Sequence, residues 1–429
     1  MKLPGLCVIA TLFLLACKVP GSISGTDISH KAYANKLKAA GLENTALGVQ
    51  WFTAASQSFL QPVSINVPYK ETGYFNAGVP RAVAFLFTCQ RGERLTVTLT
   101  QKPVAGFIIF SELYRQGETD KPLVVRDTAQ PAFTYEIDAT GNYLLRLQPE
   151  LLKGGEYTCT ITRGPSLAFP VQDGKASSIG SYWGASRDAG ARLHEGVDIF
   201  GRFRTPVTAA ADGVIGRVAN GGIGGKTIFL YPYGKNYSLY YAHLDSQLVQ
   251  SGQPVKTGDV IGWMGNTGNA RTTPTHLHFG IYASGGAVNP LPFIRPEEAK
   301  PRPVAATGLL DQEVRMVKAG FGRSSPEGKN DRSLQAGTFG YVVAAAAGFY
   351  RILLPDSTQL FVQAGNLAGL VQPLSRRNIT RQTPLLESVY PDAPAVSVLQ
   401  PGSTAAVLAG YNGWEYMQSG EVKGWMRKP

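Results

Sequence analysis

In the stretch His276-Leu277-His278-Phe279-Gly280-Ile281 every second residue is a large apolar one. On a helix, side chains two apart point in nearly opposite directions; on a strand they share a face. The stretch is therefore read as a strand, with His276, His278 and Gly280 on one face and Leu277, Phe279 and Ile281 buried on the other. Two imidazoles side by side on one face suit a transition-metal site.

Four of the chain's five histidines fall into one pattern with this strand: His194-Glu195-Gly196-Val197-Asp198, Tyr241-Ala242-His243-Leu244, and His276 with His278. His194-Glu195 begins like the helical H-E-x-x-H zinc motif, with Asp198 where the second histidine would stand. Gly196 weakens a helix, and Val197, Ile199 and Phe200 favour an extended segment. On a strand His194 and Asp198 still share a face and Glu195 points away, so Glu195 is not the general base. Three protein ligands with one open position mark a catalytic zinc rather than a structural one. His194, Asp198 and one of the later histidines can supply the three. The two histidines left over can take a proton from bound water and hold a developing oxyanion.

These residues resemble the lysostaphin/LytM family of zinc endopeptidases, which cut peptide bonds in bacterial peptidoglycan. The family's H-x-x-x-D falls on His194 and Asp198, its Y-x-H-L on Tyr241 to Leu244, and its H-x-H on His276 and His278. The resemblance implies His194, Asp198 and His278 as ligands of one zinc ion per chain, with His243 and His276 as the catalytic pair. Surrounding strings agree: Arg204-Thr-Pro-Val207, Ala211-Asp-Gly213-Val214, Gly258-Asp259-Val-Ile261-Gly262 and Gly265-Asn-Thr-Gly268. Trp183-Gly184-Ala-Ser-Arg187 resembles the segment before the first ligand, which places Arg187 as a substrate contact. Three positions depart from the family pattern: Arg204 replaces a usual glycine, Gly280 stands where glutamate is common, and Thr275 precedes His276 where proline or another small residue is frequent. None removes a ligand. The resemblance covers about a third of the chain.

The remaining segments suggest a mainly β, multidomain protein. The chain has 429 residues, too many for one compact core, with 49 glycines, 28 prolines and few charges, a composition that suits short strands and turns. Lys2 and the apolar run Leu3 to Ala16 read as a secretory signal peptide, too short to span a bilayer. The run ends in Leu14-Leu15-Ala16-Cys17, which resembles a bacterial lipobox and implies lipid on Cys17; simple secretion is the alternative. For an exported chain, Cys89 and Cys159 are read as one disulfide, against two separate buried thiols. Residues 18–75 are assigned as a helical segment, its first helix capped by Asp27 and its second carrying Trp51 inward. His30, with no partner nearby in sequence, is taken as exposed. Alternating patterns across 76–165 imply a β-sandwich similar to the jelly-roll modules of secreted peptidases. The zinc peptidase segment is placed at 168–298 as an antiparallel β domain. After a proline-rich linker, Leu334-Gln-Ala-Gly337 recurs as Leu399-Gln-Pro-Gly402, and Gly348-Phe349 as Gly413-Trp414. That repeat resembles two bacterial SH3-like domains, at 305–371 and 375–429. Phe349, Tyr350, Trp414, Tyr416 and Trp425 either line a peptide groove there or fill small cores, the commoner use of such residues.

The net charge of +11 favours acidic partners, but no basic block or nucleic-acid motif is present, which leaves nucleic acid out. The expectation is an exported, periplasmic or outer-membrane-anchored zinc endopeptidase acting on peptidoglycan stem peptides or cross-links. One alternative is a non-catalytic relative that binds the wall and activates an amidase. Another is a lipid-anchored wall-binding protein with a vestigial metal site.

Overall fold

The computed structural model describes residues 29–187, 190–295 and 300–428. The leader, Asp27 and Cys17 lie outside these residues. Two helices open the fold, His30–Ala39 and Ala46–Leu60. Ser29 caps the first, its hydroxyl accepting from the Ala32 N–H at 3.1 Å, and Thr45 caps the second. The second helix packs on the β-sandwich through Trp51, which is 1% exposed and donates its indole N–H to the Pro149 carbonyl at 2.9 Å, and the first through Tyr33, whose hydroxyl accepts from the Leu151 N–H at 3.0 Å.

His30 is not exposed as its sequence context suggested. It is stacked on Trp51 at 4.7 Å and donates Nε2–H to Gln148 Oε1 at 2.7 Å. Burial, reinforced by Arg146 and opposed by Glu112 and the Gln148 bond, pulls its pKa from 6.5 to about 4. The unfolded chain binds this proton more readily, so the stability contributed by neutral His30 is full above pH 6.5 and is lost as pH falls toward 4. Between pH 7 and 5 the native chain should lose about 2 kcal/mol more than a His30→Gln variant. Denaturant unfolding of both at the two pH values checks this; equal losses would reject it.

The helical assignment reaches too far toward 75: Val63–Ser64 and Tyr69–Phe75 are strands. The sandwich has one sheet ordered Val63–Ser64, Val83–Cys89, Gly141–Pro149, Ile109–Arg115, Val124–Val125. Facing it, Tyr69–Phe75, Gly155–Pro165, Glu93–Lys102 and Ala132–Glu136 form part of a larger sheet. Phe85, Leu95, Val97, Ile109, Tyr143 and Ile161 fill the space between them. Cys89 and Cys159 share this core as free, buried thiols, which corrects the disulfide expected from export. Cys89 ends its strand near Glu93 and Arg163, whereas Cys159 sits mid-strand near Glu71 and Arg126, so the two thiols occupy different surroundings.

The large sheet does not stop at the sandwich. Tyr69–Phe75 pairs antiparallel with Phe339–Ala346 of the first repeat copy, in the register Glu71 to Ala346 and Gly73 to Ala344. The first copy is thus continuous with the sandwich. Both copies build the same hairpin: Phe339–Ala346 with Phe349–Leu353, and Thr404–Tyr411 with Trp414–Ser419. Each turns on two residues, and Ala347 and Asn412 both take positive φ, 50° and 44°. Tyr350, Tyr416 and Trp425 are buried in one apolar cluster that spans both copies, and Phe339 packs on Tyr416 and Trp425. These three rings serve as core rather than as a groove.

The residues between the sandwich and the repeats in sequence form a ten-stranded sheet of their own. Its main path runs Ile179–Ser181, Val197–Phe200, His276–Ala283, Tyr237–Gln247, Lys226–Pro232, Gly213–Ala219, Pro254–Val255. It meets the sandwich at the Tyr237 end of its long strand: Tyr237 donates to Glu136 at 3.2 Å, Lys235 pairs with the same carboxylate, and the Phe293 ring fills the space beside Gly92 that a Cβ would need. No helix among the described residues is long and apolar enough to cross a membrane.

Candidate metal centre

Alternation along three neighbouring strands builds the site. Val197, Ile199, Leu277, Phe279, Ile281, Leu239 and Tyr241 are buried beneath the sheet. The opposite face then carries Asp198, His276 and His278, with Asp198 directly across from His278 and Phe200 across from His276. His194 arrives from the segment just before Val197.

Three donor atoms converge: His194 Nε2, Asp198 Oδ1 and His278 Nδ1 are each 3.0 Å from the other two. His194 commits Nδ1–H to the Tyr182 carbonyl at 3.0 Å, so its Nε2 presents a lone pair to the other donors. Lone pairs brought this close, two of them from buried groups, call for a cation among them. Tetrahedral zinc with bonds of about 2.0–2.2 Å needs donors roughly 3.3–3.6 Å apart, a shift of a few tenths of an ångström. Two imidazoles and one carboxylate suit that ion, and the same three residues form a possible metal-binding group by geometry. Burial alone would raise the Asp198 pKa, but the adjacent His194 and His278 imidazoles overcome it and hold the carboxyl well below its usual range. Burial is also the main cause that lowers His278. Gly196 makes room for this arrangement: a Cβ there would sit 2.7 Å from His278 Nε2 and 2.6 Å from the Phe279 carbonyl.

His276 donates Nδ1–H to the Pro274 carbonyl at 2.8 Å, leaving its Nε2 3.9 Å from Asp198 Oδ1. His243 reaches the same side by a less regular route. Tyr240 and Ala242 line the cleft and Tyr241 is in the core, so strict alternation would turn His243 inward. The register slips at this point, with Leu244 opposite Lys226 but Tyr241 opposite Ile228. The extra residue is a β-bulge, and His243 adopts φ 63°, which swings its ring into the cleft 5.0 Å from that of His276. Its Nδ1–H is held by the Thr267 carbonyl at 2.9 Å. Gly225 and Gly268 allow this: a Cβ on Gly225 would lie 2.5 Å from the Gly268 nitrogen, so only glycines let the two loops meet. Burial first, then His276 and His278, pull the His243 pKa to about 4, which keeps it a neutral base at pH 7.

All five residues thus line one cleft of about 660 Å³. Arg187 borders it too, but its guanidinium lies on Asp198 Oδ2 at 2.7 Å and Ser181 Oγ at 2.6 Å rather than projecting freely as a substrate contact. Glu195 is near Tyr282 on the rim, not at the three donors. Arg204 has φ 65°, which accounts for glycine being usual there, and its Nε donates to Asp245 at 2.7 Å. What sequence reasoning missed is the set of orienting groups: Ser181 and the carbonyls of Tyr182, Thr267 and Pro274. A backbone carbonyl carries no residue signal; only the glycines around Thr267 hinted at a tight approach.

Residues 192–290, a span holding all five residues, match peptidase family M23. The L-Ala--D-Glu endopeptidase of Bacillus subtilis is 34% identical over 140 residues, covering 30% of this chain and 43% of its own length. The murein hydrolase activator NlpD of Escherichia coli is 37% identical over 101 residues, 24% of this chain and 26% of its own. Among solved structures, the catalytic domain of the antimicrobial peptidase lysostaphin from Staphylococcus simulans is 34% identical, over 28% of this chain and 92% of that one, with a TM-score of 0.25. The chain spans less than half the length of the curated relatives it matches. Residues 192–290, rather than the chain as a whole, are therefore identified as a LytM-type domain of peptidase family M23.

Proposed function

We propose that the chain is a zinc-dependent endopeptidase that hydrolyses peptide bonds of bacterial peptidoglycan, in stem peptides or cross-links, outside the cytoplasm. The observation that carries this reading is the complete site: three converging donors, with two further imidazoles aimed at the same cleft. Zinc, held by His194, Asp198 and His278, would supply Lewis acidity toward water and the scissile carbonyl. The chain's own contribution is proton handling. His243 and His276 each have Nδ1–H tied to a carbonyl, so each offers a bare Nε2 to the cleft. Whichever takes the proton of the attacking water becomes an imidazolium, able to stabilise the oxyanion or pass the proton to the leaving nitrogen. An extended peptide suits an open cleft of this size, and the +11 charge is compatible with acidic stem peptides.

Similarity to an activator named NlpD favours a second reading, a wall-bound regulator of another hydrolase. Incubation of the purified chain with isolated peptidoglycan, followed by mass spectrometry of released muropeptides, separates the two. Uncrosslinked or shortened stems are expected; unaltered muropeptides from zinc-loaded protein would reject the enzyme and leave the regulator. His243→Ala should keep its zinc and lose turnover by about 100-fold or more. Near-normal cleavage by that variant would exclude His243 from proton transfer. Export with a lipid on Cys17 belongs to the same proposal, and intact-mass measurement of the mature protein tests it.

A further inference from the structure

Asp198 uses its two oxygens differently. Oδ1 faces His194 Nε2 and His278 Nδ1, both at 3.0 Å, whereas Oδ2 accepts from Arg187 Nη2 at 2.7 Å. The same Nη2 donates to Ser181 Oγ at 2.6 Å, and Ser181 Oγ lies 3.3 Å from His194 Nδ1. Arg187, Ser181, His194 and Asp198 are therefore linked on the side of the site away from the converging donors.

The backbone that delivers Arg187 also delivers His194. Ser186–Arg187 pairs antiparallel with Arg192–Leu193, with Arg187 opposite Arg192, and the second strand runs straight into His194. His194 N–H donates to the Ala185 carbonyl at 2.8 Å and its carbonyl accepts from Gly184 N–H at 2.9 Å. Ser181 sits opposite Asp198 in the main sheet. A guanidinium placed by a hairpin clipped to one ligand, and bonded to the next, is set by the fold. Asp198 is 7% exposed, so water competes little for Oδ2.

We infer that Arg187 is a positioning residue that reserves Asp198 Oδ2 and so restricts the carboxylate to a single ligating oxygen, Oδ1. This rests on the zinc reading proposed above and adds a role for a residue outside the ligands. A carboxylate free to rotate can chelate through both oxygens and occupy a position needed by water or substrate.

The test is a cobalt(II) titration of the metal-free full chain, followed by visible absorption, on the native protein, Arg187→Ala and Arg187→Lys. Native protein should give the intense bands of a low-coordinate site. Arg187→Ala should bind cobalt about 10-fold more weakly, at the low end of the range for outer-shell partners because the freed oxygen partly compensates. Its bands should also weaken, since that oxygen raises the coordination number. Arg187→Lys keeps a cationic donor and should recover most of the native spectrum. Native affinity and spectrum in Arg187→Ala would overturn the inference while leaving the metal site intact. Failure of the native chain to bind cobalt would instead overturn the zinc reading and this inference with it.

Discussion

Replacing His278 with alanine is expected to remove zinc and hydrolysis together. Its Nδ1 is one of three donors spaced at 3.0 Å, and the two that would remain, His194 Nε2 and Asp198 Oδ1, cannot close a site around a divalent ion. His276 is not placed to replace it: among the described residues only His194, Asp198 and His278 form the group of mutually close donors, and His276 Nδ1 is committed to Pro274. Metal analysis per mole of chain should fall from near one zinc to near none, and muropeptide release should fall to background. The contrast with His243→Ala is informative, because that imidazole is outside the donor set and its loss should spare the metal. Stoichiometric zinc in His278→Ala would refute the ligand assignment.

Arg351→Ala should destabilise the chain by about 3–5 kcal/mol, the range for removing one partner of a buried ion pair. Arg351 is 2% exposed and Glu71 is 0% exposed, joined at 2.8 Å although they lie 280 residues apart in sequence. Tyr69 and Tyr157 also donate to Glu71, at 2.7 and 2.6 Å. Without Arg351 the carboxylate keeps these two neutral donors but loses the charge of its ion pair, beside a core of Phe85, Tyr157 and Phe361. Replacing both charges, Glu71→Gln with Arg351→Met, should cost much less than the single change, since no ion is left stranded. Chemical unfolding measures both; a loss under about 1 kcal/mol for Arg351→Ala would show the pair to be dispensable.

The metal centre was legible because its information is local. A period of two fixes which residues of His276 to Ile281 share a face, and the same rule places Asp198 beside them once the strands pair. His243 is the instructive exception. The Y-x-H-L resemblance put it in the site, while simple alternation would have buried it, and the bulge that reconciles them leaves no residue signature of its own. Long-range features were not legible. Lys70, Glu71 and Thr72 fall in the segment assigned as helical, and only pairing with a strand beyond residue 338 and the bond from Arg351 to Glu71 explain why they are a strand with Glu71 buried. His30 failed for the same reason: its partner Gln148 is 118 residues away. Export argued for a disulfide, but whether two thiols meet depends on their positions in the packed sheets, and here both are simply core residues.

The shared sheet of Tyr69–Phe75 and Phe339–Ala346 turns the peptidase segment into a long excursion that departs and returns to the same platform. At departure, Arg94 grips the Ser166 carbonyl at 2.8 Å; on return, Ala305 N–H bonds the Ala347 carbonyl at 2.7 Å. With the Tyr237 and Lys235 contacts to Glu136 added, the segment has fewer ways to turn than it would on one tether. The cleft, at the far end of the strands from Tyr237, is thereby restrained against the platform rather than carried on a free tether.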